Sequence, residues 1–336
     1  MRGIILAGGR GTRLYPSTGV VSKQLLPIYD TPMVFHPLAL LMAAGLREIM
    51  IISSPDALPS FQRLLGDGSR FGMRLEYAEQ DQPRGIAEAL IIAEPFLRGG
   101  ASTLALGDNL FVGGHTAKLL RRAIAPRSGA TIFTTAVENP SAFGNVVFDQ
   151  LGRPDSIEEK PVRPRSNQAI VGLYVFDHRG SEIAHAIKPS ARGEIEITDV
   201  LRDYLRRGQL VAEPLPTGER WFDTGTPNSL LAASLLVCDL EAETGHKLAC
   251  LEAIAFESGW ITKDHLRAAG IRWSGSNYGR HLQTRANQPD EAAAGFGACY
   301  ALDDAPNVVP FDGHGRPIMK RVAMSVPDAL SKKDVQ

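Results

Sequence analysis

Short apolar runs alternate with longer segments of mixed apolar and polar residues along the first third of the chain. The short runs are typical of strands buried on both faces of a largely parallel sheet, and they lie at Gly3–Leu6, Glu48–Ser53 and Ser102–Leu106. The longer segments favour helices, and they lie at Pro32–Gly45, Leu58–Leu65 and Gly85–Leu97. Strands that alternate with helices in this order predict βαβ units and an α/β fold.

The pattern changes beyond about residue 130. Short β-rich pieces separated by turns predict a mixed or antiparallel insertion, and they lie at Ala130–Val137, Gly144–Asp149 and Ile170–Asp177. Helical patterning returns at Ser181–Ile187, Asp199–Arg207 and Asn228–Leu240. From about residue 285 the chain has little periodicity, and we read it as an appended tail with some strand potential at Asn307–Phe311.

Composition and charge narrow the classes of protein. The 336 residues include 36 Lys and Arg against 37 Asp and Glu, a net charge of −1, which argues against a general nucleic-acid binder. Three cysteines (Cys238, Cys250 and Cys299) without CxxC spacing are typical of reduced thiols in the cytoplasm. No apolar stretch reaches the ~20 residues of a membrane span, and the first residues leave no room for a signal peptide. We therefore expect a cytoplasmic protein with neither nucleic acid nor membrane as a partner.

A glycine-rich loop, LAGGRGTRL, directly follows the first predicted strand. Glycines there let backbone N–H groups surround a phosphate, although a plain strand-to-helix turn is the alternative. The loop is not a Walker A motif, because no Gly-Lys-Ser/Thr closes it, and Leu14 stands where the dinucleotide fingerprint needs its third small residue. Arg13 and Lys23 flank the loop and suit a polyphosphate, although Lys23 alone reads as a solvated lysine.

The same segments carry a family resemblance over roughly residues 1–283. The chain resembles the sugar-1-phosphate nucleotidylyltransferase family, and most closely its members that make dTDP-glucose. The motifs that carry the resemblance occur in consistent order: LAGGRGTRLYP, SKQLLPIYDTPM, YAEQDQPRGIAEAL, LALGDN, FGNVVFD, IEEKP, VGLYVFD, KPSARGEIEITDV and WFDTGT.

This resemblance implies a fold, a reaction and an assembly. The fold is a Rossmann-like three-layer α/β/α nucleotidyltransferase core with a mixed sheet and a sugar-binding insertion. The reaction is Mg²⁺-dependent transfer of dTMP from dTTP to glucose 1-phosphate, which releases pyrophosphate and begins dTDP-deoxysugar synthesis. The assembly is a homo-oligomer, a tetramer in relatives of this length. We expect a catalytic core over residues 1–240, a helical segment over 241–285 and a tail of unknown role over 286–336.

The resemblance also assigns roles to individual positions. The four expected catalytic cations are Arg13 and Lys23 on the nucleotide phosphates, and Lys160 and Arg192 on the sugar phosphate. The two expected Mg²⁺ ligands are Asp108 and Asp223. The expected contacts to the nucleotide phosphates are Gly8, Gly9, Gly11 and Thr12. The residues expected at the nucleobase are Gln24, Gln80 and Gly85. The expected sugar contacts are Asn109, Gly144, Glu159, Val171 and Tyr174.

Several of these assignments leave alternatives open. Val171 and Tyr174 are nearly as well explained by packing in a strand, and Trp221 is expected to pack rather than bind. The amide of Gln80 can pair with the imide edge of thymine or uracil but hardly separates them. A relative that uses UTP or another hexose 1-phosphate, and a non-catalytic nucleotide-sugar-binding regulator, therefore remain as alternatives. A NAD-dependent oxidoreductase fits the βαβ start but lacks the glycine fingerprint.

Overall fold

A nine-stranded mixed sheet forms the centre of the molecule. The computed structural model describes residues 1–9, 11–125 and 128–288. The strands are β1 (Arg2–Leu6), β2 (Pro27–Ile28), β3 (Thr31–Pro32), β4 (Glu48–Ser53), β5 (Arg74–Glu79), β6 (Ser102–Leu106), β7 (Asn109–Val112), β8 (Ala130–Ala136), β9 (Gly144–Phe148), β10 (Pro154–Glu159), β11 (Gln168–Phe176), β12 (Leu210–Pro214) and β13 (Arg220–Asp223). The main sheet has the order β10-β9-β11-β6-β1-β4-β5, and β8 joins it by pairing with β11 and β12.

One half of the sheet is parallel, as the buried apolar runs predict. β1 pairs in parallel with β4 on one side and β6 on the other, and β5 extends the sheet beyond β4. Ile4 and Ile5 on β1 are fully buried on opposite faces, because helices cover both sides of a parallel sheet. The loops after β1 and β6 therefore leave the same edge of the sheet, where ligands bind in open α/β folds.

The β-rich region predicted as an insertion continues the same sheet. β11 pairs antiparallel with β6 and β8, and β9 and β10 form an antiparallel pair at the edge. The register of β11 against β8 shifts between Ile170 and Tyr174. The sheet is therefore mixed, which confirms the expected fold class.

The helices are α1 (Phe35–Ala43), α2 (Leu58–Leu65), α3 (Glu88–Ile92), α4 (Glu94–Leu97), α5 (His115–Ala123), α6 (Gly180–Ala186), α7 (Ile197–Arg206), α8 (Pro227–Thr244), α9 (Leu251–Glu257), α10 (Lys263–Arg272) and α11 (Asn277–Asn287). The single helix predicted over Gly85–Leu97 is two short helices. Pro95, which lacks a backbone N–H, stands in the first turn of the second one.

Two apolar layers sandwich the main sheet. Ile5 belongs to the same buried cluster as Leu38 of α1 and Leu120 of α5, and α9, α10 and α11 extend this layer. Ile4 packs on the other face with Leu90 of α3 and Leu201 of α7. Helices on both faces give the three-layer α/β/α architecture that the resemblance implies.

The described residues all belong to one compact unit. Position 240, the expected end of the catalytic core, lies inside α8 rather than in a linker. The expected helical segment over 241–285 contains the end of α8, all of α9 and α10, and most of α11, which continues to Asn287. The predicted strand at Asn307–Phe311 and the tail from residue 289 lie outside the described residues. Among the helices of the described part, none is long and apolar enough to cross a membrane.

Candidate active site

A pocket of about 650 Å³ opens at the carboxyl edge of β1 and β6. Most of the predicted site residues line it: Gly8, Gly9, Gly11, Thr12, Arg13, Lys23, Gln24, Asp108, Asn109, Gly144, Glu159, Lys160, Tyr174 and Asp223. The lining does not include the other predicted residues, which are Gln80, Gly85, Val171 and Arg192. The sequence motifs therefore converge on one cavity although they are spread over more than half of the chain.

The glycine loop forms one wall of the pocket. Gly9 and Gly11 have φ values of +100° and +58°, a conformation that side chains disfavour, so glycine is required for the turn. Gly8 differs, because a Cβ there would lie 2.8 Å from Oε1 of Gln80 and would displace the end of that side chain. The loop thus turns sharply, and its three glycines line the pocket without side chains.

A cluster of two carboxylates and two cations lies next to the loop. Asp108 follows β6, and Asp223 ends β13, which pairs with β7 so that Asp223 stands opposite Asn109. Lys23 Nζ lies 2.5 Å from Asp108 Oδ2 and 3.8 Å from Asp223 Oδ1, and its side chain is 7% exposed. Arg13 Nη2 lies 3.8 Å from Asp223 Oδ2. The protein therefore places one buried cation between two acidic groups.

The electrostatics of Asp223 reflect this crowding. Burial, followed by the negative charge of Asp108, raises its pKa, and the charges of Lys23 and Arg13 offset only part of the increase. Two oxygen ligands that repel each other suit a divalent cation such as Mg²⁺, which takes one or two protein carboxylates and completes its shell with substrate phosphate and water. Among the described residues no group of three or more acidic, His or Cys side chains forms a metal cage, so the donor set matches that mode of binding.

Asn109 holds Asp108 in place. Its Nδ2 donates to Asp108 Oδ1 at 2.9 Å, while its Oδ1 accepts from Gly172 N at 3.0 Å and from Trp221 Nε1 at 2.6 Å. Trp221 also packs edge-on against Phe143, with ring centroids 5.1 Å apart. The structure thus gives Asn109 a scaffold role, and Trp221 both packs, as predicted, and anchors Asn109.

The acidic and basic groups expected at the sugar phosphate form a second cluster across the pocket. Lys160 Nζ lies 3.8 Å from Glu159 Oε1, and Lys160 has φ +41° although it is not a glycine. Arg192 does not line the pocket, and it donates to Glu159 at 3.0 Å and to Glu196 at 2.8 Å. Thr198 donates to the other oxygen of Glu159 at 3.1 Å. Glu159 is therefore held from two sides, and Lys160 is the cation that faces the cavity.

The environment of Arg192 keeps it charged. Burial opposes the charged form, but hydrogen bonds to Glu196 and Glu159 outweigh that effect and raise the pKa of Arg192. Sequence reasoning missed Glu196 and Thr198, which belong to the quoted motif KPSARGEIEITDV and directly precede the helix predicted at Asp199–Arg207. Their signal was the dense alternation of charged and apolar residues in GEIEITDV.

The two glutamines and the glycine expected at the nucleobase are built into the wall. Gln24 donates from Nε2 to Gly8 O at 3.0 Å and accepts from Ser22 Oγ at 2.8 Å, so it supports the glycine loop. Gln80 donates from Nε2 to the buried carboxylate of Glu88 on α3 at 2.8 Å. Gly85 has φ +104°, and a Cβ there would clash with the backbone of Ile195. Glycine at 85 is thus required by packing between two backbone segments.

The remaining predicted sugar contacts differ in exposure. Gly144 lines the pocket, and a Cβ there would lie 3.4 Å from Glu159 Oε2. Tyr174 is 3% exposed and stacks on Phe176, and burial is the main cause that raises its pKa. Val171 is fully buried in the core. The packing alternative therefore accounts for Val171, whereas Tyr174 both packs and contributes to the wall.

Comparison with known proteins agrees with this geometry. The family model described as nucleotidyl transferase matches residues 2–239. The chain belongs to the nucleotidyl transferase family.

Individual relatives are more specific. The chain is 49% identical over 282 residues to the glucose-1-phosphate thymidylyltransferase of Neisseria gonorrhoeae, which covers 84% of this chain and 98% of that protein. It is also 49% identical over 282 residues to the glucose-1-phosphate thymidylyltransferase of Mycolicibacterium smegmatis, with the same coverage.

Solved structures show the same fold. A Bacillus anthracis chain assigned as a glucose-1-phosphate thymidylyltransferase, in complex with sucrose, is 37% identical with a TM-score of 0.65, covering 70% of this chain and 94% of that one. A UDP-glucose pyrophosphorylase complexed with UDP-glucose has a TM-score of 0.63 at 22% identity, covering 71% of this chain and 98% of that one. That second likeness concerns the fold alone.

Proposed function

We propose that the protein is an enzyme that transfers dTMP from dTTP to glucose 1-phosphate, with Mg²⁺, to give dTDP-glucose and pyrophosphate. The relatives that match nearly their whole length to this chain carry the name of that activity. The observation that carries the proposal is the layout of the pocket. Asp108, Asp223 and Lys23 lie beside the glycine loop, and Glu159 and Lys160 line the opposite wall of the same cavity.

The proposed reaction is an in-line displacement at phosphorus. A phosphate oxygen of glucose 1-phosphate bonds to the α-phosphorus of dTTP, and the bond from that phosphorus to the oxygen bridging to the β-phosphate breaks. Pyrophosphate leaves with the electron pair of that bond. The protein contributes mainly positioning and charge, since phosphoryl transfer needs little covalent chemistry from side chains.

Lys23 and Arg13 are the groups proposed to meet the triphosphate. In the structure they are paired with Asp108 and Asp223. A bound triphosphate offers these two side chains an alternative anion. They neutralise the charge that develops on the leaving pyrophosphate.

Asp108 and Asp223 would hold the Mg²⁺ ion, with Asn109 fixing the orientation of Asp108. Bound there, the cation would supply charge neutralisation at the α-phosphate. At the other end, Lys160 would grip the phosphate of the sugar and Glu159 its hydroxyl groups. Arg192 would act through Glu159, because it donates to that carboxylate and does not itself line the pocket. These residues hold two anionic substrates together against their mutual repulsion.

The experiment that tests the proposal replaces each aspartate by its neutral isostere. Asp108→Asn and Asp223→Asn should each lower turnover by roughly 10²–10³-fold, the scale of losing one preorganised electrostatic contact. Asp56→Asn, at an exposed turn, is the matched control and should retain full activity. Circular dichroism would check that the fold is intact. Near-wild-type turnover of both variants at saturating Mg²⁺ would contradict the assigned roles.

A further inference from the structure

The proposed mechanism does not use one buried carboxylate, which is hydrogen-bonded to Gln80. Glu88, on α3, is 5% exposed. Arg84 donates to its Oε1 from Nε at 2.7 Å and from Nη2 at 2.5 Å. The other oxygen, Oε2, accepts from Nε2 of Gln80 at 2.8 Å. A hydrogen-bonded triad of Arg84, Glu88 and Gln80 thus runs from the protein surface to the wall of the pocket.

This triad allows one orientation of the Gln80 amide. A carboxylate is only an acceptor and a guanidinium only a donor, so Glu88, paired with Arg84, must receive a hydrogen from Gln80. The amide nitrogen therefore faces Glu88, and the amide oxygen faces the other way. That oxygen, Oε1, lies 2.8 Å from where a Cβ on Gly8 would be, and Gly8 lines the pocket. Within the described residues no group donates a hydrogen bond to it.

The orientation of the amide matters because pyrimidine bases differ in the hydrogen-bonding groups at N3 and C4. Thymine and uracil carry an N3–H donor, whereas cytosine has a bare N3 acceptor and a 4-amino donor. An acceptor fixed in the wall matches the imide N–H and leaves N3 of cytosine facing another acceptor. A site with a fixed hydrogen-bonding group rejects a ligand that cannot complement it, because the polar group then loses its partner.

We propose that Glu88 is a positioning residue that sets base selectivity: it locks the Gln80 amide so that its oxygen accepts from the N3–H of thymine or uracil and disfavours cytosine. The inference rests on the proposed function only in taking a pyrimidine nucleoside triphosphate as the ligand. Glu88 itself stays behind the wall and touches no substrate. Its effect therefore appears in the choice between bases and not in the chemical step.

The test is equilibrium binding, measured by calorimetry with Mg²⁺ and either dUTP or dCTP. These two nucleotides differ only at N3 and C4 of the base. Glu88→Gln keeps the size of the side chain but can accept as well as donate, so the Gln80 amide is released to turn. We expect the ratio of the dCTP to the dUTP dissociation constant to fall about tenfold or more, which corresponds to losing one properly paired hydrogen bond. The matched control Glu243→Gln, at an exposed position on α8, should leave the ratio unchanged.

A swapped variant separates this role from general structural damage. The double substitution Gln80→Glu with Glu88→Gln puts an acceptor-only group beside the pocket and a donor behind it. We expect it to restore the preference for dUTP that Glu88→Gln loses. A general loss of structure would weaken both nucleotides together and would not be rescued by the swap.

Three results would overturn the inference: an unchanged ratio in Glu88→Gln, a swapped variant without restored preference, or a wild-type protein that binds dCTP as tightly as dUTP. Binding requires no turnover, so a protein that selects dUTP but releases no pyrophosphate would contradict the proposed reaction and leave the role of Glu88 standing. Conversely, thymidylyl transfer with an unchanged ratio in Glu88→Gln would overturn the role of Glu88 alone.

Discussion

Replacing Lys23 by methionine removes the one cation that the described structure places between Asp108 and Asp223. Methionine keeps much of the length and the apolar stem of the side chain. The ammonium lies 2.5 Å from one carboxylate and 3.8 Å from the other, and the lysine side chain is 7% exposed. Its removal leaves two acidic groups facing each other, with partial compensation at Asp223 from Arg13, 3.8 Å away.

The size of the effect follows from burial. Breaking a fully buried ion pair by removing one partner costs about 3–5 kcal/mol. Here the carboxylates are 22% and 24% exposed, so solvent screens part of the repulsion. We therefore expect Lys23→Met to lower the free energy of unfolding at pH 7 by about 2 kcal/mol. Turnover should fall by roughly 10²–10³-fold, because the triphosphate also loses a fixed positive charge.

Urea unfolding with and without Mg²⁺ measures the first of these effects. Millimolar Mg²⁺ should restore stability to Lys23→Met more than it adds to the wild type, because the freed carboxylates can take the ion. Lys188→Met, at an exposed lysine, is the control and should behave as the wild type. A loss below about 0.5 kcal/mol, the scale of an ordinary surface substitution, together with no selective effect of Mg²⁺, would refute the reasoning.

Two further predictions concern the opposite wall and the scaffold. Lys160→Ala should raise the KM for glucose 1-phosphate by at least tenfold and leave the KM for dTTP nearly unchanged. Initial-rate kinetics with each substrate varied in turn measure both constants. A change in the KM for dTTP alone would contradict the role assigned to Lys160. Asp177→Asn tests the scaffold: burial raises the pKa of Asp177, but hydrogen bonds from Arg179 and Tyr204 outweigh it and lower the pKa to about 2. Because the pKa of Asp177 is lower in the folded than in the unfolded protein, its ionised carboxylate stabilises the fold at pH values above the unfolded-state pKa. This stabilisation is lost as the pH falls toward the folded-state pKa. The substitution should therefore cost about 2 kcal/mol at pH 7 and roughly half that at pH 3. Urea unfolding at both pH values checks it, and an equal cost at both would contradict the linkage.

The fold was predictable where a segment's own pattern decides its structure. The apolar runs Gly3–Leu6 and Ser102–Leu106 correspond to β1 and β6, since a strand buried on both faces needs no polar alternation. β7 and β13 were not predicted. They pair with each other across about a hundred residues of sequence, Asn109 standing opposite Asp223, and neither has a pattern of its own.

The candidate site was likewise predictable only in part from the sequence. The motifs indicate which residue types surround the pocket, and most of the predicted residues line it. They do not indicate which polar atoms are already engaged within the protein. Asn109 is committed to Asp108, Gly172 and Trp221, and such hydrogen bonds join residues far apart in the chain. These partners emerge only once the sheet has brought its strands together.

The most direct test of the proposed function is pyrophosphate release by the wild-type protein. The assay would contain Mg²⁺ and glucose 1-phosphate, with dTTP, UTP, ATP, CTP and GTP compared side by side. We predict rapid release with dTTP, weaker or comparable release with UTP, and little with CTP or the purine nucleotides. An absence of release with every nucleotide, from a protein that is folded by circular dichroism, would contradict the account.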